Sequence, residues 1–506
     1  MSLATVFSRA RLGLQAPAVT VEVHLSNGLP SLSIVGMPET AVKESRDRVR
    51  SAIINSHFDF PARRITINLA PADLPKGGGQ FDLPIALGIL AASQQIPAEP
   101  LAKFEFVGEL GLNGELRAVP GCLPAAIACG KQSRQFFCPT ENMPQVSLAD
   151  DVESFCASSL LQTCAHLSGQ ASLLPSVTTA YNPVDIVAEH SLDLCDVKGQ
   201  HQAKRALEIA AAGQHHLLLY GPPGTGKSML ASRLPGIMPP LDKPSAIEVA
   251  CVQSLTQSDA GGGYPSRPFA APHHTASAAS LVGGGSNPKP GEISLAHKGV
   301  LFLDELPEFQ RQVLEVLREP LECGSIRISR AAAQVEYPAR FQLVAAMNPC
   351  PCGFFGDSTG SNRQKCRCSP DQVQRYRHRL SGPLLDRIDL HVPVLALKKG
   401  ELYGGDNGEN SHTVQARVMS AYQYQLDRQG CSNAALSAAQ LEQICPLNPS
   451  QQQLMENTML TMGYSARVLH KAIKVARTIA DLAQENQLLD SHLMEAFSYR
   501  SMDKSV

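Results

Sequence analysis

The chain has 506 residues, which at roughly 150 residues per domain predicts about three domains. Its 44 lysines and arginines nearly balance its 46 aspartates and glutamates. The resulting net charge of −2 argues against a polybasic, histone-like protein and leaves local basic patches open. Hydrophobic residues make up 43% of the chain and charged residues 18%, so the chain can bury a core and is not globally disordered.

No run of apolar residues approaches the ~20 that a membrane-spanning helix needs, so no membrane partner is predicted. The first residues, MSLATVFSRARLG, contain no long apolar segment ahead of a cleavage site. Fourteen cysteines are too few for a disulfide-stabilised scaffold of this length. We therefore expect a cytoplasmic protein.

Two polar stretches rich in small residues, 166–189 and 398–412, are typical of linkers and divide the chain into three blocks. The first block, residues 1–165, mixes strand-like alternation with helical spacing and is predicted to be α+β. Its predicted elements are strands over 19–25, 31–35 and 65–69, a helix over 39–55, a core helix over 83–92 and a hairpin turn at Asn113-Gly114.

The middle block, residues 190–397, alternates strands and helices, which predicts a parallel sheet. The last block, residues 413–506, is predicted to be almost entirely helical. Its clearest element is an amphipathic helix over 467–483, whose apolar residues recur at three- and four-residue steps.

The strongest motif in the chain is GPPGTGKS at 221–228, which matches GxxxxGK[ST] at every fixed position. The apolar run 217–220 predicts the strand before it, and a helix is predicted to follow, which is the context that the motif requires. Lys227 is expected to meet the β- and γ-phosphates of ATP, and the Ser228 hydroxyl to bind Mg²⁺. The residues predicted to bind the nucleotide are Gly221, Pro222, Pro223, Gly224, Thr225, Gly226, Lys227 and Ser228.

A second apolar strand, predicted over 299–303, ends in Asp304 and Glu305. Such a strand delivers carboxylates to the carboxyl edge of a parallel sheet, where ligands bind. Asp304 is expected to hold Mg²⁺ through water, and Glu305 to orient and polarise the attacking water. An apolar run followed by two acids is common by itself. Because it follows the phosphate loop about 80 residues further along the chain, its interpretation as a magnesium- and water-binding element is specific.

These motifs resemble those of AAA+ ATPases. The segments RPFAAPHHTAS (267–277), GGG (283–285) and PGEISLAH (290–297) are similar to the magnesium-chelatase-related branch, which groups near the replicative MCM helicases. GMPETAVKESRDRVRSAIINS (36–56) and INLAPADLPKGGG (67–79) resemble the bacterial ComM/YifB family, and that resemblance runs through essentially the whole chain.

The resemblance implies an α/β AAA+ P-loop core over 190–397 with an α-helical lid over 413–506. It implies an α+β domain like that of Lon protease and ribosomal protein S5 over 1–165. A Lon-type site needs a serine nucleophile, and the matching turn 75–84 has none, so this domain is expected to be non-proteolytic.

The resemblance also implies roles for single residues. Asn348 falls at the sensor 1 position beside the γ-phosphate, Arg387 at the arginine finger, Arg467 at sensor 2 on the helical lid, and Val197 where the adenine base is covered. A fixed guanidinium stabilises charge that develops on a transferring phosphate. If Arg387 acts on a neighbouring copy, the active sites lie between subunits and a homo-hexameric ring follows. From the sequence alone, each arginine fits a surface salt bridge equally well.

The stretch GSIRISRAAAQVEY at 324–337 predicts a hairpin with a small-residue tip, and Arg327 and Arg330 lie on its polar face. In MCM-like relatives, this hairpin projects into the ring pore and contacts DNA, so both arginines are candidates to meet phosphates. The alternative is an ordinary solvated hairpin face, because an exposed charge needs no partner.

Two cysteine pairs, Cys350-Pro-Cys352 and Cys366-Arg-Cys368, flank a loop rich in small polar residues. Four thiolates suit a tetrahedral structural Zn²⁺, and a reducing compartment favours a metal over disulfides. Each pair has one intervening residue, not the usual two, so free or redox-active thiols remain an alternative. His273 and His274 are adjacent in sequence, and adjacent residues rarely bind one ion. A structural or interface role is therefore preferred to a metal site for this pair.

Together these features predict an ATP-hydrolysing hexameric motor on single-stranded and branched DNA. By resemblance, it is a branch-migration helicase that promotes integration of DNA in homologous recombination and natural transformation, with recombination proteins as further partners. One alternative is a chelatase-like remodeller that acts on a protein partner. Another is a scaffold that does not hydrolyse ATP, against which the intact set of Lys227, Asp304 and Glu305 argues.

Overall fold

The computed structural model describes residues 3–36, 40–183, 192–256, 263–285, 288–329, 334–356, 366–397 and 408–500. In these ranges the chain forms an N-terminal sheet block, a middle block around a parallel sheet, and a C-terminal group of helices. Among the helices described, none is both long and apolar enough to cross a membrane.

The N-terminal block is built on a seven-stranded mixed sheet with the order β3-β4-β2-β1-β5-β8-β9. Buried and more exposed residues alternate along β2, as expected for a strand with one face on the core. Its strands are β1 Leu3–Arg9, β2 Ala18–Ser26, β3 Ser31–Val35, β4 Arg64–Ala70, β5 Phe104–Phe106, β6 Glu109–Leu110, β7 Leu116–Arg117, β8 Gln135–Pro139 and β9 Ser154–Ala157. Its helices are α1 Thr40–Asn55, α2 Asp82–Ala92, α3 Cys122–Gly130, α4 Met143–Val146 and α5 Leu160–Leu167.

All elements predicted for this block are present within a residue or two. Every residue of α2 is buried, because the helix packs on β1 and β2 and against α1. The small antiparallel pair β6–β7 is the predicted hairpin, with Gly114 at φ +85° in its turn. That the block shares its fold with Lon protease and ribosomal protein S5 stays a prediction.

The middle block is built on a parallel sheet with the order β11-β14-β17-β10-β18, as the alternation of strands and helices predicted. Because all five strands run the same way, their carboxyl ends share one edge of the sheet. The strands of this block are β10 Leu217–Tyr220, β11 Phe269–Ala270, β12 Gly283–Gly284, β13 Lys289–Pro290, β14 Val300–Leu303, β15 Ser325–Ser329, β16 Gln334–Pro338, β17 Gln342–Met347 and β18 Leu390–Pro393. Its helices are α6 His201–Gly213, α7 Lys227–Ala231, α8 Leu234–Ile237, α9 Lys243–Ser254, α10 Ala278–Val282, α11 Glu292–Leu295, α12 Arg311–Glu315, α13 Arg318–Cys323, α14 Pro370–Arg377 and α15 Gly382–Leu385.

The C-terminal group contains α16 Ser411–Gln429, α17 Ala438–Ile444, α18 Pro449–Met462, α19 Ala466–Leu482 and α20 Asp490–Ser498. The helix α16 begins inside the predicted linker, because the Asn410 side chain accepts from the Thr413 N–H at 2.8 Å and caps it. Residues 398–407 of that linker lie outside the described residues. The helix α19 is amphipathic as predicted, and its buried face packs on α6, α16 and α20.

The N-terminal block packs against the middle block through the short turn that follows β1. Leu12 and Leu14 rest on the apolar cluster that contains the base of the β15–β16 hairpin. Gly13 has φ +59°, and a Cβ there would come within 2.3 Å of Val335 Cγ1. The N-terminal block therefore braces the hairpin at Val335, which pairs with Ile328 near the tip end of the two strands.

Candidate nucleotide-binding site

The predicted phosphate loop lies at the carboxyl edge of the parallel sheet, between β10 and α7. Gly224 and Gly226 adopt φ of +76° and +89°, which glycine reaches without strain. A Cβ at Gly221 would come within 2.0 Å of a backbone carbonyl oxygen just after β18. The Thr225 hydroxyl closes the turn by donating to the Pro222 carbonyl oxygen at 2.9 Å. These contacts fix the curved backbone that points N–H groups at a bound phosphate.

Lys227 lies under this loop with its ammonium group inside it. Its Nζ donates to the carbonyl oxygens of Gly221 and Pro222, both at 2.8 Å, and to Asn348 Oδ1 at 3.2 Å. Burial lowers the pKa of Lys227, and the carboxylates that follow β14 oppose that shift. The lysine is thus held by neutral acceptors that a phosphate group can replace.

The two acids at the end of β14 meet the loop from the side. The Ser228 hydroxyl donates to Asp304 Oδ2 at 2.6 Å, and the Glu305 N–H donates to Asp304 Oδ1 at 2.9 Å. Glu305 has φ +53°, a left-handed conformation that is uncommon for a non-glycine residue. A hydroxyl and a carboxylate are oxygen ligands of the kind that Mg²⁺ prefers, so Ser228 and Asp304 fit the ion.

The sheet order explains why these residues meet. Strands β14, β17 and β10 are neighbours, and each delivers polar residues to the same edge. The structure therefore brings together Lys227, Ser228, Asp304, Glu305 and Asn348, whose roles in binding and hydrolysis stay predictions.

The segment before α6 borders the loop through a residue that the sequence analysis missed. Gln200 Nε2 donates to the Leu395 carbonyl oxygen at 2.7 Å and to the Thr225 carbonyl oxygen at 3.4 Å. It therefore ties the phosphate loop to the chain after β18. Val197, predicted to cover the adenine, is 4% exposed and packs in the main apolar cluster. Of the stretch DVKGQ at 196–200, the sequence analysis names only Val197.

Arg387 lies at the opposite edge of the same sheet. Strand β18 runs parallel to β10, with Leu390 opposite Leu217, and Arg387 precedes its first residue. The phosphate loop follows the last residue of β10, so the length of a full strand, about 13 Å, separates the edge that carries Arg387 from the edge that carries the loop. Within one chain, Arg387 and Lys227 therefore do not share a site.

Arg467 joins Arg387 at that opposite edge. Arg387 Nη2 forms an ion pair with Glu322, and Arg467 Nη2 lies 3.2 Å from the same carboxylate at Oε1. The hydrogen bond from Arg467, then the charge of Arg387, holds the pKa of Glu322 below its usual value. Lys471, one turn further along α19, donates to Asp389 Oδ1 at 2.7 Å. The helix of Arg467 is thus anchored to the segment that carries Arg387.

These residues line a cavity of about 360 Å³ on the amino side of the sheet. Cations outnumber anions on its walls, which suits an anionic group from outside the chain. The charged and titratable residues on its walls are His216, Arg387, Arg467, His470, Lys471, Lys474, Glu322 and Asp389.

The predicted hairpin is present as the antiparallel pair β15–β16. Arg327 is exposed, and its Nε donates to Glu336 Oε2 at 3.1 Å across the strands. Arg330 and the hairpin tip lie outside the described residues. The contact of Arg327 with DNA stays a prediction, as does the alternative of a solvated face.

The four predicted cysteine ligands converge just after Asn348. The Sγ atoms of Cys350, Cys352, Cys366 and Cys368 all lie within 4.8 Å of one another. Burial raises the pKa of Cys352, but hydrogen bonds from the Phe354 N–H and from the other thiols lower it to about 6. A low pKa favours the thiolate form of Cys352, which is the form that binds metals. For Cys366 and Cys368, backbone N–H donors lower the pKa, but burial and hydrogen bonding to Cys352 outweigh them and raise it.

Three family models match consecutive parts of the chain. They describe the ChlI subunit of magnesium chelatase over residues 21–142, the magnesium chelatase subunit ChlI over 193–402, and its C-terminal region over 408–500. The matches cover most of the strands of the N-terminal sheet, without β1 and β9, together with the phosphate-loop block and the C-terminal helices.

Relatives are similar over the full length. The chain is 52% identical to "Competence protein ComM" of Haemophilus influenzae over 505 residues, covering 99% of this chain and 98% of that protein. It is 50% identical to "Uncharacterized protein YifB" of Salmonella typhimurium over 507 residues, covering 100% and 98%. A more distant match, 22% identical over 244 residues, is to "DNA replication licensing factor mcm6" of Dictyostelium discoideum, covering 44% of this chain and 25% of that protein.

The family implies ATPase activity with ATP and Mg²⁺, and the residues predicted to bind them lie at the carboxyl edge of the sheet. On the identity of the relatives and the fold of the core and its helical lid, the chain belongs to the ComM/YifB family of magnesium-chelatase-related AAA+ ATPases.

Proposed function

We propose that this ATPase works as a homo-hexameric ring on single-stranded and branched DNA. It uses ATP hydrolysis to drive branch migration, which promotes integration of DNA in homologous recombination and natural transformation. The proposal of a ring is supported by one observation: Lys227 lies at one edge of the sheet, whereas Arg387 and Arg467 lie at the opposite edge.

Hydrolysis is performed at the carboxyl edge. Lys227 binds the β- and γ-phosphates, while Ser228 and Asp304 would hold Mg²⁺, which neutralises phosphate charge when bound. The oxygen of the attacking water bonds to the γ-phosphorus, and Glu305 accepts a proton from that water. The bond to the β–γ bridging oxygen breaks and releases ADP and phosphate. Asn348 orients that water.

The arginines complete the site of a neighbouring copy. Arg387 and Arg467 converge on one carboxylate in an open cationic cavity, where a γ-phosphate of the next protomer can replace Glu322 as their partner. A guanidinium placed there stabilises transition-state charge. Repeating this head-to-tail contact closes a ring.

The DNA part of the proposal is supported by the β15–β16 hairpin and by similarity to an MCM protein whose name refers to DNA replication. Arg327 on this hairpin is placed to meet phosphates in the pore. A ring that remodels a protein would hydrolyse ATP at a rate that DNA does not change, so stimulation by single-stranded or branched DNA separates the two functions.

The cysteine cluster is proposed to hold one structural Zn²⁺. Three of the Sγ–Sγ separations, 3.3 Å for Cys350–Cys352, 3.6 Å for Cys352–Cys366 and 3.9 Å for Cys350–Cys366, bracket the spacing of about 3.8 Å that a tetrahedral Zn–S distance of about 2.3 Å requires. A metal there stiffens the loop between Asn348 and the arginine-finger segment. Metal analysis of purified protein is expected to give about one zinc per chain, and less than about 0.2 would overturn the assignment.

The function is tested by migration of a synthetic three- or four-strand junction. The wild-type protein is expected to convert the junction with ATP, and Lys227→Ala to leave it unchanged. A wild-type protein that hydrolyses ATP and migrates no junction would contradict the DNA function.

A further inference from the structure

A second cavity adjoins the one that Arg387 and Arg467 line. Its volume is about 760 Å³, which lies in the range of about 300 to 1,000 Å³ that small-molecule sites occupy. One side is formed mainly by the segments before β10, β11, β14 and β17, and the other by α16, the segment 430–436 and Lys474 of α19. We call it the core–lid cavity, and the proposed hydrolytic scheme does not use it.

The order β11-β14-β17 within the sheet brings three basic residues to one wall of this cavity. Arg267, Lys298 and Arg340 each stand two residues before the first residue of β11, β14 and β17, respectively. Because neighbouring parallel strands begin at the same edge of the sheet, these residues lie on adjacent segments. Lys474 joins the wall from α19. Positive charge therefore comes to the core–lid cavity from two sides.

Arg267 is the most buried of these cations, with 9% of the residue exposed. Its Nε donates to the Pro239 carbonyl oxygen and its Nη1 to the Lys298 carbonyl oxygen, both at 2.5 Å. No carboxylate of the described ranges forms an ion pair with it. Burial lowers the pKa of Arg267 to about 10, although Tyr422 and Asp242 oppose that shift. A buried cation that only carbonyl groups hold is stabilised further by an anion, which offsets the cost of its burial.

The other cations on the walls are also available to an anion. Arg340 is exposed, and the stem of its side chain lies against Gly324, where a Cβ would come within 2.8 Å of Arg340 Cγ. Lys474 Nζ donates to a backbone carbonyl oxygen at 3.0 Å. Lys298 Nζ lies 3.9 Å from Glu248 Oε2, which is a distant ion pair. Among the residues that the structure describes, neither Arg340 nor Lys474 forms an ion pair.

Two acids lie on the same walls, and both have partners of their own. Glu322 is shared by Arg387 and Arg467. Asp242 caps α9, because its Oδ1 accepts from the Ser245 N–H at 3.2 Å. Neither carboxylate is therefore paired with the cations of the core–lid cavity.

The rest of the lining is partly apolar and includes two aromatic rings. The apolar and aromatic residues that face the basic ones across this space are Met238, Phe341, Tyr422, Leu426 and Leu436. A cavity with cations and an apolar wall suits a molecule that carries both charged and uncharged parts.

We propose that the core–lid cavity binds a phosphate-bearing small molecule. Its phosphate oxygens would accept from the guanidinium groups of Arg267 and Arg340, which present several N–H donors in a fixed plane. The site is separate from the phosphate loop at Lys227, and it depends neither on the proposed ring nor on DNA. The phosphate could belong to a nucleoside diphosphate, whose base would lie on the apolar wall, or to free pyrophosphate.

Equilibrium dialysis with labelled ADP and, separately, labelled pyrophosphate tests the site. The Lys227→Ala protein is used, because its phosphate loop is weakened, and we expect about one bound molecule per chain for at least one of the two compounds. Adding Arg340→Gln should weaken that binding by about tenfold, since it removes hydrogen bonds to a charged group. The matched control is Arg311→Gln, which changes an exposed arginine outside the cavity and should leave the dissociation constant unchanged. Arg387→Ala alters only the adjoining cavity and should also leave it unchanged.

The two compounds distinguish the sources of the phosphate. Tighter binding of ADP than of pyrophosphate would assign the site to a nucleoside phosphate, and equal binding would assign it to the phosphate groups alone. Failure of both compounds to bind the Lys227→Ala protein would overturn the proposal. Binding that Arg340→Gln leaves unchanged would also overturn it, as would binding that Arg387→Ala abolishes, because the anion would then lie in the adjoining cavity.

Discussion

In the proposed ring, the two edges of the parallel sheet carry two halves of one chemical site, and they are built differently. At the carboxyl edge, Lys227 donates to the backbone of its own loop and the Ser228 hydroxyl donates to Asp304. At the amino edge, Arg387 and Arg467 share one carboxylate inside an open cavity. The first half holds all the residues predicted to bind the nucleotide, whereas the second would receive its anion from another protomer under the proposed function.

The amino edge is organised before any partner arrives. Asp389 accepts from the His216 N–H at 2.9 Å and from Lys471 Nζ at 2.7 Å. Burial opposes ionisation of Asp389, but Lys471 and His215 hold its pKa well below its usual value. This buried pair fixes the two arginine-bearing segments to each other and reduces the entropy lost when a phosphate binds.

The largest effect is expected at the carboxyl edge. Lys227→Ala removes the cation that meets the phosphates, so we expect kcat/KM for ATP to fall by about 100-fold or more. ATP binding and turnover assays measure it, with Lys289→Ala, an exposed lysine, as the control. Turnover within a few-fold of wild type would contradict the nucleotide assignment.

The amino edge is expected to affect turnover but not binding. Arg387→Ala and Arg467→Ala should each lower kcat by about 100-fold, because each removes charge stabilisation in the transition state. Their dissociation constants for ATP should stay near the wild-type value, since neither arginine lies at its own phosphate loop. If the isolated variant chains lost ATP binding, the arginines would act in the nucleotide site of their own chain and not in that of a neighbouring copy.

Loss of the cysteine cluster is expected to act on stability more than on nucleotide binding. Cys366→Ser combined with Cys368→Ser should release the zinc and lower the midpoint of thermal unfolding by several degrees, because metal binding free energy is folding free energy. Cys323→Ser, an exposed cysteine remote from the cluster, is the control. An unchanged midpoint together with unchanged metal content would remove the cluster from this account.

A smaller effect is expected where the N-terminal block braces the hairpin. Gly13→Ala should lower the free energy of unfolding by about 2 kcal/mol, because its Cβ meets Val335. Gly169 has a similar φ of +70° and open space around it, so Gly169→Ala carries the backbone strain without the clash. Denaturant unfolding should separate the two variants, and equal losses would rule out the steric explanation.

The smallest effect is expected at the hairpin. Arg327→Ala should weaken binding of single-stranded DNA and reduce the slope of log K against log salt by about one. Titrations at several salt concentrations measure the slope. An unchanged slope would favour the solvated hairpin face.

The residues at the carboxyl edge could be predicted from the sequence because they lie in short, recognisable motifs. GPPGTGKS and the acids after an apolar strand each specify both residue types and local geometry. Parallel pairing of β14, β17 and β10 then brings these residues together, because it places the carboxyl ends of the strands side by side.

The amino edge could not be predicted in the same way. Glu322 is 65 residues from Arg387 and 145 residues from Arg467, and it has no motif of its own. His274 had been assigned a structural or interface role, because only the pairing of β11 with β14 reveals Glu305 as its neighbour. Contacts of this kind depend on tertiary topology, which the spacing of residues in sequence does not report.

The most direct test of the account is to mix two inactive variants. An equal mixture of Lys227→Ala and Arg387→Ala subunits places an intact phosphate loop against an intact arginine at about a quarter of the interfaces. ATPase activity is therefore predicted to reappear in that mixture. A mixture of Arg387→Ala with Arg467→Ala is predicted to stay inactive, because both lesions lie on the same half of the site. If the first mixture is as inactive as its components, the claim that neighbouring copies share each site is contradicted.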